Sequence, residues 1–292
     1  MSLASILAVM AVVLVPGAGA TFAAFRPGML GVEAAIALTF GLGYAAVGFT
    51  AVALAIVGAI GETSFSAAMI AVTAAVWAVA IRLGRPSAHL RALATDIRRR
   101  RWELTPGLVG LTAFALDKLR LEPVAFISTP TAWRYWADGL EILRAGGVPA
   151  TSLQWGMELP TTVSKVLLNS FEAGMFSVAP GGTLATMGAF VWLGGVGLFA
   201  GLLAVSRELG LRVLAVAVPM VVLATPGWFP ISLEFARDAN VFRVETLGRM
   251  VVVCALLVAL PVIRGRAGLW YAVLAGALLG AAAGTHLIPV MV

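Results

Sequence analysis

One segment in the middle of the chain carries residues whose types and spacing could do chemistry. Arg134, Asp138 and Glu141 lie four and three residues apart, and residues at this spacing share one face of a helix. A carboxylate beside a cation and aromatic rings can act as a general base toward a hydroxyl group, or can orient a metal ion. The alternative is that Asp138 and Glu141 are solvated charges paired with arginines. The spacing leaves both interpretations open.

The same segment predicts an amphipathic helix at a membrane surface. Trp136, Leu140 and Leu143 fall on a second face of that helix. Tryptophan and tyrosine are typical of the interface between membrane and water. Gly146 and Gly147 follow directly, and glycine commonly ends a helix. The candidate acids would therefore lie at the level of lipid headgroups.

A second polar segment, residues 229–245, carries further charged side chains. Arg237 and Arg243 belong to it, and Arg249 lies at the start of the next apolar run. Guanidinium groups bind phosphate oxygens through paired hydrogen bonds, so these arginines are candidates for holding a lipid-linked phosphate. Ordinary ion pairing within the segment is the alternative. His286, in the last apolar run, is either a further substrate contact or a structural hydrogen-bonding group.

The elements that must position these residues are membrane-spanning helices. Of the 292 residues, 61% are hydrophobic and only 12% are charged, and the apolar runs approach the roughly 20 residues that a helix needs to cross a bilayer. The runs lack the alternating polarity of a transmembrane barrel. We therefore expect an all-α integral membrane bundle of about eight spans. The net charge of +6 is assigned to arginines flanking these spans, and not to nucleic-acid binding.

Three basic segments orient the predicted spans. Residues 85–101, residues 207–212 and the pair Arg264 and Arg266 fall on one side if every span crosses, and by the positive-inside rule this side is the cytoplasm. Residues 128–179 would then be extracytoplasmic, in a multi-pass protein of the plasma membrane. The second span contains Gly41, Gly43 and Gly48, which are expected to loosen it. The predicted spans are residues 3–25, 30–60, 65–83, 106–126, 184–205, 213–228, 247–263 and 269–292.

The chain divides into two parts on this basis. Residues 1–104 form a three-span segment that ends in a basic cytoplasmic loop, and residues 105–292 form a core that carries the polar extracytoplasmic segments. Residues 1–20 lack the basic start of a secretory signal, which favours a first span over a cleaved signal. The last span ends in apolar residues, which favours a fragment of a longer protein. The single cysteine, Cys254, can form no internal disulfide.

Three short segments carry a family resemblance. They are Tyr-Trp-Ala-Asp-Gly-Leu-Glu-Ile at 135–142, Gly-Gly-Val-Pro at 146–149 and Gln-Trp-Gly at 154–156. These segments resemble actinobacterial membrane proteins of the type-C glycosyltransferase kind. Residues 280–289 resemble another segment of such proteins, so the resemblance covers about residues 105–292. It implies a polyprenyl-phosphate sugar donor, a glycan or envelope acceptor, and an acidic catalytic base in the first large extracytoplasmic loop. Asp138 matches that position. In the family the acids are commonly adjacent or one residue apart, whereas here Asp138 and Glu141 are three apart.

The resemblance implies an inverting transfer. Asp138 would take the proton of the acceptor hydroxyl, and Glu141 would orient the acceptor or a divalent cation, the one cofactor left open. Arginines of the second polar segment would stabilise the departing phosphate.

Other classes of function remain. A transporter or lipid-linked-sugar flippase would use glycine- and proline-broken spans around a central site, but the ionisable residues past the fourth span collect at one outer surface, which favours interfacial chemistry. A non-catalytic scaffold for envelope assembly is a third class. The sequence contains no Walker loop, HExxH helix, CxxC pair or GxSxG elbow, so it gives no support to those soluble chemistries.

Overall fold

The computed structural model describes residues 3–118, 130–148, 165–178, 183–211, 244–265 and 268–285. These residues form helices joined by turns and contain no strand, so the expected all-α architecture is confirmed. The helices are α1 (Leu3–Ala24), α2 (Val32–Ile56), α3 (Glu62–Arg82), α4 (Arg85–Arg99), α5 (Arg101–Lys118), α6 (Pro130–Ala145), α7 (Val166–Val178), α8 (Thr183–Glu208), α9 (Val244–Ile263) and α10 (Leu269–Thr285).

Four of these helices, α1, α2, α3 and α9, are long and apolar enough to cross a membrane. They fall within a few residues of the first, second, third and seventh predicted spans, because a long run of apolar residues is itself the signal for a span. Helices α7 and α10 are apolar but shorter. The predicted sixth span, residues 213–228, and the end of the eighth, residues 286–292, lie outside the described residues.

Helix α2 lies at the centre of the bundle. It packs against α1, α7, α8, α9 and α10, and Gly41 and Gly43 were expected to loosen it. Instead the helix is continuous, and both glycines are contact points: a Cβ at Gly43 would collide with the Val13 carbonyl of α1, and one at Gly41 would meet the Cys254 sulfur of α9. Small residues let neighbouring helices approach closely. The glycines therefore tighten the bundle.

Ionic contacts gather the ends of several helices at one end of the bundle. Arg207, at the end of α8, lies 3.4 Å from Glu33 in the first turn of α2, and Arg100, just after α4, lies 3.2 Å from the same carboxylate. Arg264, after α9, pairs with Glu208 at 2.8 Å. We call this region, defined by Arg100, Arg207 and Arg264, the arginine end. It brings together representatives of all three basic segments.

The first of these basic segments is a helix, where the sequence indicated a loop. Helix α4 follows Gly84, whose φ of +64° suits a glycine. His89 of α4 is buried, with its Nε2 atom 2.9 Å from the carbonyl oxygen of Phe25 and its ring stacked on Phe22. Helix α4 is thereby attached to the end of α1, and it delivers Arg100 to the arginine end.

Candidate functional site

The segment that was predicted to form an amphipathic helix is helical, as α6, and this helix ends where the glycines predict. Gly146 adopts a φ of +71°, and its carbonyl accepts a hydrogen bond of 2.9 Å from the Ile60 amide. The Val148 amide donates to the carbonyl of Ala55, the penultimate residue of α2, at 3.1 Å. These bonds fasten the end of α6 to the C-terminal end of α2. Because the arginine end contains the N-terminus of α2, α6 ends at the opposite end of the bundle.

The two candidate acids of α6 lie in different environments. Asp138 is half-buried beside the buried Gly139, whereas Glu141, one turn further on, is exposed. Trp136 fixes the helix by donating a hydrogen bond of 2.9 Å from its Nε1 atom to the Thr183 hydroxyl at the start of α8. Asp138 thus lies at the edge of the buried face of α6, and Glu141 faces outward.

Helix α7 was not expected, because residues 128–179 were interpreted as one long extracytoplasmic segment. Ten of its 13 residues are buried, and three of those ten, Asn169, Ser170 and Glu172, are polar. In the sequence, Lys165, Asn169 and Glu172 recur at four and three residues, a spacing that would place them along one face of a helix. This recurrence is the sequence signal that could have identified Glu172 as a site residue.

Glu172 is the most unusual side chain of the site. Its exposed fraction is 0%, and neither carboxylate oxygen has a hydrogen-bond partner within the part of the chain that the structure describes. The amide of Asn169 and the hydroxyl of Ser170 are equally unpaired there. Buried polar groups are almost always hydrogen-bonded, so an exception of this size calls for a functional explanation. Three neighbouring exceptions on one helix strengthen that conclusion.

Asp138 on α6 precedes Gly139, which packs on Glu172 of α7, and we call Asp138 and Glu172 the acid pair. A Cβ added to Gly139 would lie 2.8 Å from the Glu172 Cβ and 3.1 Å from its Oε2 atom, so the glycine allows this close approach. Asp138 and, with the opposite sign, Lys165 act electrostatically on Glu172. The structure therefore gives Asp138 an acidic neighbour, but that neighbour comes from α7 and not from the same helix.

A buried hydrogen bond links α2 and α10 beside this pair. Tyr44, at the midpoint of α2, lies with its hydroxyl 2.8 Å from that of Thr285. The Thr285 hydroxyl donates a hydrogen bond to the Ala281 carbonyl at 2.7 Å. Its hydrogen is therefore already used, and the Tyr44 hydroxyl is the donor in the bond to Thr285. The Tyr44 ring packs on Phe171, the residue before Glu172, with 4.7 Å between ring centroids. The acid pair is thus bordered by aromatic rings and one satisfied polar contact.

The remaining predicted site residues are placed only in part. Arg249 lies in the second turn of α9 and is exposed. Arg134 belongs to α6, but its side chain lies outside the description, and Arg237, Arg243 and His286 lie outside the described residues altogether. Among the residues that are described, no group of three or more His, Cys, Asp or Glu side chains could hold a metal ion. The divalent cation therefore gains no support here.

Comparisons of the chain with family models, with curated proteins and with solved structures find no match in any of the three. The fold itself defines the class: an all-helical protein with helices able to span a membrane. Among the described residues, the acid pair between α6 and α7 is the candidate functional site.

Proposed function

We propose that the protein is a membrane glycosyltransferase that moves a sugar from a polyprenyl-phosphate donor to a glycan or envelope acceptor, with Asp138 as the base. One observation carries the proposal: Asp138 is half-buried beside Gly139, which packs on the buried Glu172, whereas Glu141 is exposed. A general base has to be reachable by its substrate and yet placed where its surroundings tune its proton affinity. Of the two acids on α6, Asp138 meets both conditions.

The reaction follows from the chemistry of the donor. The acceptor oxygen attacks the anomeric carbon as Asp138 takes the proton of that hydroxyl, and the bond from this carbon to the phosphate oxygen breaks with its electron pair leaving on the phosphate. The configuration at the anomeric carbon is inverted. Arg249, with Arg237 and Arg243, stabilises the departing polyprenyl phosphate. Arg134 and His286 complete the set of proposed substrate contacts.

The proposed topology places this site at the outer face of the plasma membrane. It has about eight spans, with α6 lying in the membrane interface. Two observations support it: arginines from all three basic segments gather at one end of the bundle, and α6 ends at the other. Since basic residues favour the cytoplasmic side, the acid pair belongs toward the opposite leaflet. That is the side on which lipid-linked sugars are used for envelope assembly.

The test is sugar transfer by membranes that contain the full-length protein. Labelled polyprenyl-phosphate sugars are supplied one at a time, and Asp138→Asn is compared with wild type at equal protein levels. Loss of a general base removes about 10²- to 10⁴-fold in rate, so transfer should fall at least about 100-fold. Glu141→Gln is the matched control, because it neutralises an exposed acid on the same helix, and it should stay within a few-fold of wild type.

Two results would count against the proposal. Transfer that survives Asp138→Asn but is abolished by Glu141→Gln would move the base to the exposed acid. Absence of transfer from every donor, with intact protein in the membrane, would show that the protein is not a glycosyltransferase of this class.

Transport is the second candidate, and a specific observation favours it. Glu172 is buried next to Phe171, whose ring packs on Tyr44 at the midpoint of α2. Ionisable residues inside a membrane bundle commonly mark transport pathways. The burial of Glu172 therefore differs from the expected collection of ionisable residues at one outer surface, which had spoken against a transporter. Movement of a lipid-linked sugar across proteoliposomes that lack any acceptor would separate this function from transfer.

A further inference from the structure

Glu172 is buried in a way that an ionised carboxylate tolerates poorly. Both of its oxygens are shielded from solvent, and neither has a hydrogen-bond partner in the described ranges. An ionised carboxylate in such a place loses its hydration and gains nothing in exchange, so it takes up a proton instead. The neighbouring Asn169 and Ser170 do not relieve this, because their polar atoms make no bond to it either.

The groups around Glu172 act in opposite directions. Asp138 of α6, next to the Gly139 that packs on Glu172, adds a second negative charge and so disfavours ionisation. Lys165 favours ionisation, but it lies seven residues earlier, just before α7 begins, and makes no hydrogen bond to the carboxylate. Tyr44 of α2 packs its ring on the neighbouring Phe171 and donates a hydrogen bond to Thr285. From α3, the Phe65 ring packs against Gly174 and offers no charge.

We propose that Glu172 is a proton-binding site, which holds a proton in the resting protein and leaves the single negative charge of the acid pair on Asp138. Neighbouring carboxyl groups that disfavour each other's ionisation divide the roles of acid and anion according to their environments. The fully buried member keeps the proton and the half-buried member keeps the charge. Within the proposed glycosyl transfer, on which this last step rests, Asp138 is thereby kept ready as a base.

Infrared spectroscopy of the purified full-length protein tests this without any sugar donor. A protonated carboxylic acid has a C=O stretching band that is distinct from carboxylate bands and moves to lower frequency in D2O. Wild-type protein grown with ¹³C-labelled glutamate should show this band at neutral pH with an isotope shift. The band should disappear in Glu172→Gln and persist in Glu141→Gln, whose exposed acid is the matched control on α6.

Asp138→Asn provides the second measurement. Removing the neighbouring negative charge makes ionisation of Glu172 easier, so the band should titrate away at lower pH than in wild type. A band whose titration is unchanged in this variant would overturn the assignment of the charge to Asp138. Wild-type protein with no isotope-shifted acid band at neutral pH would overturn the proposal directly, without depending on whether any variant folds.

The transfer assay and the infrared measurement test the glycosyltransferase proposal and the proton-site proposal separately. The infrared band reports on Glu172 whether or not sugar is transferred, because its measurement needs neither donor nor acceptor. If no donor supports transfer by wild type while the infrared band is present, the glycosyltransferase proposal fails and the proton site stands.

Discussion

Glu33 is the residue of the arginine end whose replacement should destabilise the fold most. Its exposed fraction is 3%, and its carboxylate oxygens lie 3.2 Å from the Arg100 Nη2 atom and 3.4 Å from the Arg207 Nη1 atom. Arg100 also contacts Glu103 at 3.1 Å, but that carboxylate is 69% exposed. Among the partners of this guanidinium, Glu33 is therefore buried and Glu103 is solvated. Glu33→Gln and Glu103→Gln form a matched pair.

The expected magnitudes follow from burial. Breaking a buried ion pair by removing one partner costs about 3–5 kcal/mol because the other charge is left uncompensated. Here Arg100 keeps Asp96 at 3.2 Å, and glutamine keeps one acceptor oxygen, so we expect Glu33→Gln to lower the free energy of unfolding by about 2–3 kcal/mol. Glu103→Gln should lower it by less than about 1 kcal/mol, as for other exposed pairs.

Deprotonation of Arg100 cannot relieve this loss. Burial lowers the pKa of Arg100, but the hydrogen bond and charge of Glu33, with further contributions from Glu103 and Asp96, raise it by more, and the net pKa lies above its ordinary value. The stabilisation from a raised pKa is present below the pKa of the unfolded chain and is lost only as pH rises through that of the folded protein. For arginine that range lies above any pH at which the measurement is made.

The assay is reversible unfolding of the purified protein by a denaturing detergent titrated into mild micelles, followed by circular dichroism. Equal losses for the two variants, or a larger loss for Glu103→Gln, would show that burial does not set the strength of these pairs and would refute the reasoning.

Two further stability predictions use the same unfolding assay. Gly139→Ala should destabilise the fold by about 1–3 kcal/mol, the usual range for overpacking, because its Cβ would lie 2.8 Å from that of Glu172. Gly276→Ala is the control: nothing lies within 4 Å of its added Cβ, so it should be neutral or stabilising by up to about 1 kcal/mol. Equal effects at both glycines would contradict the close α6–α7 contact. Tyr44→Phe should cost about 1 kcal/mol for one buried hydrogen bond. Tyr271→Phe should cost less, because the Tyr271 hydroxyl contacts a methionine sulfur at 3.4 Å in an exposed position, and a larger loss at Tyr271 would contradict this.

The sequence predicted those parts of the fold that a single helix determines by itself. Hydropathy located α1, α2, α3 and α9 because a span must be long and apolar whatever packs beside it. The recurrence of apolar residues, with Gly146 as a stop, located α6. Helix α4 was interpreted as a loop because its arginines dominate its composition. Its one buried side chain, His89, is recognisable only once the Phe25 carbonyl that it contacts is in place.

The acid pair could not be predicted in the same way, because it depends on packing between helices that are distant in sequence. Spacing along one helix suggested Glu141 as the partner of Asp138. When one face of a helix packs on a bundle, however, two residues three apart can lie on either side of the edge of that face, in different surroundings. Gly139 and Ile142 are buried, which places Asp138 at the edge of the contact and Glu141 outside it. Within the proposed function, the acid that type-C glycosyltransferases commonly carry next to the base would here come from α7. Nothing in the spacing of α6 could reveal this, because Gly139 makes room for Glu172 only when the two helices meet.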